Sequence, residues 1–372
     1  MARDNKNMHT AKNVKNDEFY TRYEDIQKEM NFYTNHFIDK VVYCNCDDAR
    51  ESNFFKYFSD FFGVLGLKKL ITTSYNANGN GTILIYEGDK NGNGFADDDE
   101  IIIKELSGNG DFRSEECLQI LQESDIIVTN PPFSLIIEYV DVLFAFNKKF
   151  IIIGNNNAIT YKEFFPHIKN GEVWLGRTLF TGQMPYFIVP SDFEITNDRV
   201  IEENGKRMKQ VNGVCWFTNL DNNKDEEIIS LFNEYNSTDY PTYDNYNAIN
   251  VNFIKDMPYD YDGVIGVPIT ALKYLCSDGL LHFDTPMRER EKSIQDCWCD
   301  DYYKSDRGQF WLSIHQGKED ICKSTHSIYK IVDCNDCRKE NMNKKNTMLV
   351  KDKDSAINGK PIYARILIQR IN

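Results

Sequence analysis

The stretch Asp125-Ile126-Ile127-Val128-Thr129-Asn130-Pro131-Pro132-Phe133-Ser134-Leu135-Ile136-Ile137-Glu138-Tyr139-Val140 decides how the chain is read. Residues 125–129 are a short apolar run ended by a turn signal, which predicts a buried strand. Residues 135–146 take up the apolar spacing of a helix. Asn130-Pro131-Pro132-Phe133 joins the two at the carboxyl end of the strand. Two prolines fix φ twice, so the loop is stiff before any ligand arrives. The Asn130 side-chain oxygen and the Pro131 carbonyl are both acceptors. Together they match the two N–H groups of an amine conjugated to an aromatic ring or an amide. Such a nitrogen is a poor nucleophile because its lone pair is delocalised. Preorganised acceptors draw it toward tetrahedral geometry and turn the lone pair toward an electrophilic methyl group. Phe133 offers a flat face on which a base swung out of its helix can stack. The plain alternative is a strand-terminating Asn-Pro-Pro turn. Placement between strand and helix favours the functional reading.

The same alternation extends outward. Residues 41–46 read as a strand and residues 52–62 as an aromatic-rich helix. Residues 69–75 are a second strand, 115–124 a helix and 150–154 a further strand. Alternation of this kind predicts an α/β fold with a doubly wound, mostly parallel sheet and helices on both faces. In such sheets ligands bind outside the carboxyl ends of the strands. Asn45-Cys46-Asp47 falls at one such end and Asn130-Pro131-Pro132-Phe133 at another. From about residue 155 the pattern changes. Strand-like pieces at 173–175, 186–189 and 214–218 mix with polar loops, and 235–261 is tyrosine-rich. A boundary near Leu220-Asp221 divides the chain into residues 1–220 and an α+β region, residues 221–372.

The chain has 372 residues, enough for two domains. No apolar run approaches the length of a bilayer-spanning helix, and Met1-Ala2-Arg3-Asp4-Asn5-Lys6 leads into no signal-peptide core. A cytoplasmic location without a membrane partner is expected. Ten cysteines are many, but a chain this long needs no disulfide staples, so reduced thiols are expected. The net charge of −14 argues against a nucleic-acid partner, because phosphate contacts need Lys and Arg. A basic stripe on one face is nevertheless sufficient. The amino-terminal arm carries Arg3, Lys6, Lys12 and Lys15, and much of the acidity is local to residues 87–100.

Asp89-Lys90-Asn91-Gly92-Asn93-Gly94, followed by Glu100, has the spacing of a calcium loop. Its flanks, residues 82–86 and 101–103, favour strands over the helices of an EF-hand. An Asn/Gly-rich hairpin turn gives the same letters and is the preferred reading. Cys297, Cys299, Cys334 and Cys337, with Cys322 and His326 between them, fit no common zinc template, so free thiols are preferred. No metal is expected. Arg288, Arg290 and Lys292 alternate with Glu289 and Glu291, as on a solvated helix face.

Taken together, these motifs resemble the EcoRI-type adenine-specific DNA methyltransferases. The resemblance runs over nearly the whole chain. Besides the Asn-Pro-Pro-Phe motif it includes Asp17-Glu18-Phe19-Tyr20-Thr21, Val41-Val42-Tyr43-Cys44-Asn45-Cys46-Asp47-Asp48 and Gly110-Asp111-Phe112-Arg113-Ser114. It continues through Asn157-Ala158-Ile159-Thr160, Cys215-Trp216-Phe217-Thr218 and Gly266-Val267-Pro268.

The resemblance implies a methyl transfer from S-adenosylmethionine to N6 of an adenine flipped out of duplex DNA. It implies that Asn130, Pro131, Pro132 and Phe133 are catalytic. Phe19, Tyr20 and Thr21 would close over the methionine end of the cofactor, which Asn45, Cys46 and Asp47 would meet. Asp111 and Phe112 would read its adenine. The chain departs from the common pattern in having no glycine in Asp47-Asp48-Ala49-Arg50. Ser74-Tyr75-Asn76 stands where an acidic residue usually binds the ribose, with Glu87 as a possible substitute. Residues 1–220 would be catalytic and residues 221–372 would choose the DNA site, within a restriction–modification context. A cognate restriction endonuclease would act on the same site without direct contact, and the enzyme would be a monomer. The same motif also serves methyltransferases of protein glutamine and of ribosomal RNA guanine. A non-catalytic DNA- or calcium-binding module is the alternative of another class, and retention of Asn130 and Asp111 argues against it.

Overall fold

The computed structural model describes residues 20–46, 52–178, 186–189, 200–203, 205–222, 229–244, 246–276, 278–286, 324–331, 356–357, 360–361 and 365–371. The chain forms two compact units, Met1–Ile168 with Val173–Asn222, and Lys169–Glu172 with Asn223–Asn372. Among the described residues no helix is long and apolar enough to cross a membrane.

The first unit is built on an eight-stranded sheet. Its strands are β1 (Val41–Cys44), β2 (Lys69–Ser74), β3 (Thr82–Tyr86), β4 (Ile101–Glu105), β5 (Ile126–Thr129), β6 (Lys149–Asn155), β7 (Trp174–Leu175) and, after β8 (Tyr186–Ile188), β9 (Val200–Glu203) and β10 (Lys206–Gln210), β11 (Val214–Thr218). The order across the sheet is β4-β3-β2-β1-β5-β6-β11-β7. The four central strands β2, β1, β5 and β6 are parallel. The strands beyond them run antiparallel on both sides. The expected mostly parallel sheet is therefore a parallel centre with antiparallel flanks. The flank β2-β3-β4 is joined by direct loops with no crossover helix, and such connections reverse the chain.

Side-chain alternation gives the sheet two apolar faces. Val42 lies opposite Leu70 and Ile126, Leu70 opposite Tyr86, and Ile153 opposite Trp216. These residues share one core with Ile26 and Met30 of α1 (Tyr23–Met30) and with Phe54, Tyr57 and Phe58 of α2 (Asn53–Asp60). A one-residue slip would turn the whole set to the other face, so burial holds the register. A short helix α3 (Phe62–Leu65) follows α2, and α4 (Glu115–Glu123) precedes β5. Ser52 caps α2 by accepting from Phe54 N at 3.1 Å, and Ser114 caps α4 by accepting from Cys117 N at 3.3 Å.

On the opposite face lies α5 (Ile136–Ala145), which buries Ile136, Tyr139, Val140 and Leu143 at helical spacing. Phe144 of α5 meets Phe150 of β6 edge-on at 5.9 Å, and Phe164, just before α6 (Phe165–Lys169), meets Phe217 at 4.9 Å. Gly154 allows α5 to sit this close. A Cβ there would come 3.0 Å from the Phe217 ring and 3.4 Å from Ile136. Beside the main sheet, β8, β10 and β9 make a three-stranded antiparallel sheet.

The second unit contains a six-stranded sheet of β12 (Ile229–Ser230), β13 (Ala248–Asn250), β14 (Val264–Pro268), β15 (Leu281–Pro286), β16 (Ser324–Ile331) and, after the small hairpin β17 (Ala356–Ile357) and β18 (Lys360–Pro361), β19 (Arg365–Arg370). Its order is β12-β15-β16-β19-β14-β13, antiparallel in the middle and parallel at both edges. Among the described residues its remaining regular elements are the 3₁₀ turns Ile254–Asp256 and Ile269–Tyr274.

Candidate active site

The ends of β1, β2 and β5 meet through side chains of the strands and of α5. The Thr129 hydroxyl donates to the Asn45 carbonyl, and the Tyr139 hydroxyl donates to Asn45 Oδ1. The Thr72 hydroxyl donates to the Cys44 carbonyl at 2.6 Å. Burial pushes the Tyr139 phenol well up, so it remains a donor at any ordinary pH. Asn45 and Asn130 are both buried, at the ends of the neighbouring strands β1 and β5. Cys46 follows with φ 72°, a left-handed conformation uncommon without glycine, and turns the chain out of β1. After Asn130, the Pro132 carbonyl accepts from Leu135 N at 2.9 Å and starts the 3₁₀ turn Phe133–Leu135 that feeds α5. Pro131 is buried, while Pro132 is half-buried. Phe133 is also half-buried and packs against the core under β1 and β5.

A second loop, residues 106–113, is laid across the carboxyl end of β2. Asn76 N donates to Asn109 O and Gly81 N to Gly108 O, each at 2.8 Å. Gly110, at φ 80°, lies so close that a Cβ would come 2.2 Å from Ser74 O. This approach delivers Asp111 and Phe112. The Phe112 ring meets Tyr139 edge-on at 5.0 Å. Arg113 Nη2 and Nε bind the Asp111 carboxylate at 2.7 and 2.9 Å, and Nη1 binds Glu138 Oε2 at 2.7 Å. Its guanidinium also stands 5.1 Å over the Phe112 ring. The Arg113 hydrogen bonds hold the Asp111 carboxyl below its ordinary range, so it is an ionised acceptor at neutral pH. Glu138 and Tyr139 both belong to α5, which starts beyond Asn130-Pro131-Pro132-Phe133. One helix thus ties that motif, Asn45 and the Asp111-Phe112 turn into one polar corner.

The amino-terminal segment reaches the same strand-to-helix connection. Tyr20 exchanges backbone hydrogen bonds with Ile188 of β8, both 2.9 Å. The Thr21 carbonyl accepts from Asn53 Nδ2 at 2.6 Å, and Asn53 is the first residue of α2, which follows β1. The Thr21 hydroxyl is buried and has no hydrogen-bond partner among the described residues. Phe19 and Asp47 lie outside the described residues.

The family model described as adenine-specific methyltransferase EcoRI matches residues 7–371. The chain belongs to this family. It is similar to the Type II methyltransferase M.EcoRI of Escherichia coli, with 49% identity over 79% of the chain and 94% of that protein. It is also similar to the Type II methyltransferases M.MpnI of Mycoplasma pneumoniae and M.MgeORF184P of Mycoplasma genitalium, at 39% and 37% identity. Each of these alignments covers 70% of the chain and 80% of the relative. No solved structure matches the chain significantly.

In this methyltransferase three residues join the site that sequence reasoning had not singled out. Thr129 and Tyr139 hold Asn45, and Arg113 holds Asp111. Tyr139 carried a signal, a phenol on the apolar stripe of α5, where a buried hydroxyl needs a partner. Glu87 is corrected. β3 runs against β2 with Tyr86 beside Leu70, so Glu87 falls at the amino end of β2 and pairs with Lys69 at 3.1 Å. It is at the wrong end of the sheet to meet a ribose. The loop 87–100 lies between the antiparallel strands β3 and β4, not between helices. Asp89 accepts from Gly92 N and Gly94 N, and Glu100 accepts from Lys90 N, Asn91 N and Asp97 N. Cys297, Cys299, Cys322, Cys334, Cys337, Arg288, Arg290, Lys292 and the basic arm lie outside the described residues. His326 is on β16.

Proposed function

We propose that this methyltransferase moves the sulfonium methyl of S-adenosylmethionine to N6 of an adenine flipped out of duplex DNA. The carrying observation is the corner where Asn130 and Asn45 end adjacent parallel strands and Tyr139 joins Asn45 to the Asp111-Phe112 turn. The residues present suit the cofactor. Asp111 is an ionised acceptor for an exocyclic amine, and Phe112 can pack on a base face. The unpartnered Thr21 hydroxyl suits the polar methionine end, beside Tyr20, Asn45 and Cys46. Phe19 and Asp47 are assigned to the same end from the motif alone. S-adenosylmethionine supplies the electrophilic methyl group when bound.

The chain supplies orientation. The Asn130 side-chain oxygen and the Pro131 carbonyl accept the two N6 hydrogens, Pro132 stiffens the loop, and Phe133 stacks on the flipped base. The proton released from N6 passes to solvent. Residues 1–220 carry this chemistry and residues 221–372 read the DNA site. The kinship with Type II methyltransferases supports a restriction–modification setting, in which a cognate endonuclease cuts the same site without touching this chain. The enzyme acts as a cytoplasmic monomer.

Transfer of radiolabelled methyl groups tests this. Duplex DNA should become labelled, and its hydrolysate should contain N6-methyladenine. Binding should weaken steeply with salt as phosphate contacts release counterions. Label in a glutamine of a protein, or in ribosomal RNA guanine, with none in DNA, would overturn the assignment.

A further inference from the structure

In the second unit a thiol, a carboxylate and an imidazole converge away from the site above. Donor atoms of Cys276, Asp278 and His282 all lie within 4.8 Å of one another. A tight reversal brings them together. Cys276 N donates to Leu280 O at 2.9 Å, Gly279 N donates to Cys276 O at 3.0 Å, and Leu275 bridges Leu281. Gly279 turns at φ 76° and abuts Gly171, so that a Cβ on either residue would come within 3 Å of the other's Cα. The close approach of Gly171 and Gly279 fixes the course of the turn, and Asp278 Oδ1 accepts from Leu280 N at 2.9 Å within it. Cys276 is buried, and its thiol lies 3.6 Å from the Tyr274 carbonyl. His282 Nε2 stands 2.8 Å from Asp278 Oδ2, with the His282 side chain 20% exposed and that of Asp278 49% exposed.

We infer that Cys276, Asp278 and His282 bind one zinc ion. Zinc accepts sulfur, nitrogen and oxygen donors together, whereas calcium and magnesium take oxygen alone. Bonds of about 2.0–2.3 Å to a tetrahedral ion place its donors roughly 3.3–3.8 Å apart, so small side-chain shifts complete the set. The exposure of Asp278 leaves the fourth position open to water. The bound ion cross-links the turn from which β15 (Leu281–Pro286) departs. Binding releases the thiol proton, because the thiolate is the ligand.

Cobalt(II) titration of the metal-free full-length chain tests this, because thiolate-bound cobalt has a sulfur-to-metal charge-transfer band. One equivalent should bind with that band and a tetrahedral ligand-field spectrum, and zinc should displace it. Cys276→Ser should remove the charge-transfer band. His282→Gln, at a partly exposed position, should weaken cobalt binding about tenfold or more. Zinc should raise the melting temperature of the native chain but not of either variant. Absence of cobalt binding, or a spectrum and stoichiometry identical in the native chain and both variants, would overturn the site; the second result would place the metal on other cysteines.

Discussion

Loops 87–100 and 106–113 of the first unit are both polar, with Asn, Gly and acidic residues, and they lie at opposite ends of the same strands. β3 runs against β2 with Tyr86 beside Leu70, which puts loop 87–100 at the amino end of β2. β4 runs back with Glu105 beside Thr82, which delivers loop 106–113 to the carboxyl end. In the far loop the carboxylates of Asp89 and Glu100 serve the loop's own backbone. In the near loop Asp111 is aligned by Arg113, and Phe112 packs against a helix that also holds Asn45. Strand direction, rather than loop composition, decides which of the two can meet a ligand.

Substitutions at the two ends sharpen this contrast. The largest effect is expected at the carboxyl end. Asn130→Ala should lower turnover by about 10²–10³ while S-adenosylmethionine binds nearly as before, since the lost acceptor acts on the reacting amine. Single-turnover kinetics with calorimetry separates the two quantities, and native-like turnover would remove Asn130 from the mechanism. Asp111→Ala should weaken cofactor binding by about 1–3 kcal/mol, the cost of leaving a buried amine without its acceptor. Unchanged affinity in calorimetry would move the adenine pocket elsewhere.

At the far end the expected outcome is reversed. Glu100→Ala leaves three backbone N–H groups without their acceptor, so unfolding in denaturant should show a loss of about 1–2 kcal/mol. Turnover at a permissive temperature should be unchanged; a loss of turnover without a loss of stability would contradict the division.

The smallest effect concerns pH. The Asp111 carboxyl is depressed chiefly by its Arg113 hydrogen bonds. A depressed carboxyl stabilises the folded state above its unfolded value of about 3.9, and this is lost as the pH falls through its lowered folded value. Arg113→Gln should therefore be less stable than the native chain at neutral pH, by no more than about 1 kcal/mol because the pair is partly exposed. The difference should shrink as the pH falls below about 4. A gap independent of pH would show that Arg113 acts through packing.

Local signals made much of this legible. An apolar run closed by Asn130-Pro131-Pro132 reads as a strand end, and the strand, turn and helix at 126–145 are those observed. The helices read over 52–62 and 115–124 are observed at Asn53–Asp60, with the short Phe62–Leu65 after it, and at Glu115–Glu123. What remained hidden depends on contacts between distant residues. The antiparallel flank is a matter of pairing, which leaves no mark in the letters of β3, and so Glu87 read as available to a ribose. The Tyr139 bond to Asn45 joins residues 94 apart in sequence and becomes visible only once α5 is docked. The pairing of Asp111 with Arg113 is local, but Glu138 completes it from another element.

Hydrogen–deuterium exchange of the whole chain with and without S-adenosylmethionine tests the division between the two ends most directly. The cofactor should slow exchange at residues 43–46, 108–113 and 129–135 and leave residues 88–100 unchanged, because ordering by a ligand is confined to the segments that meet it. Protection of residues 88–100 with none at residues 108–113 would contradict the account.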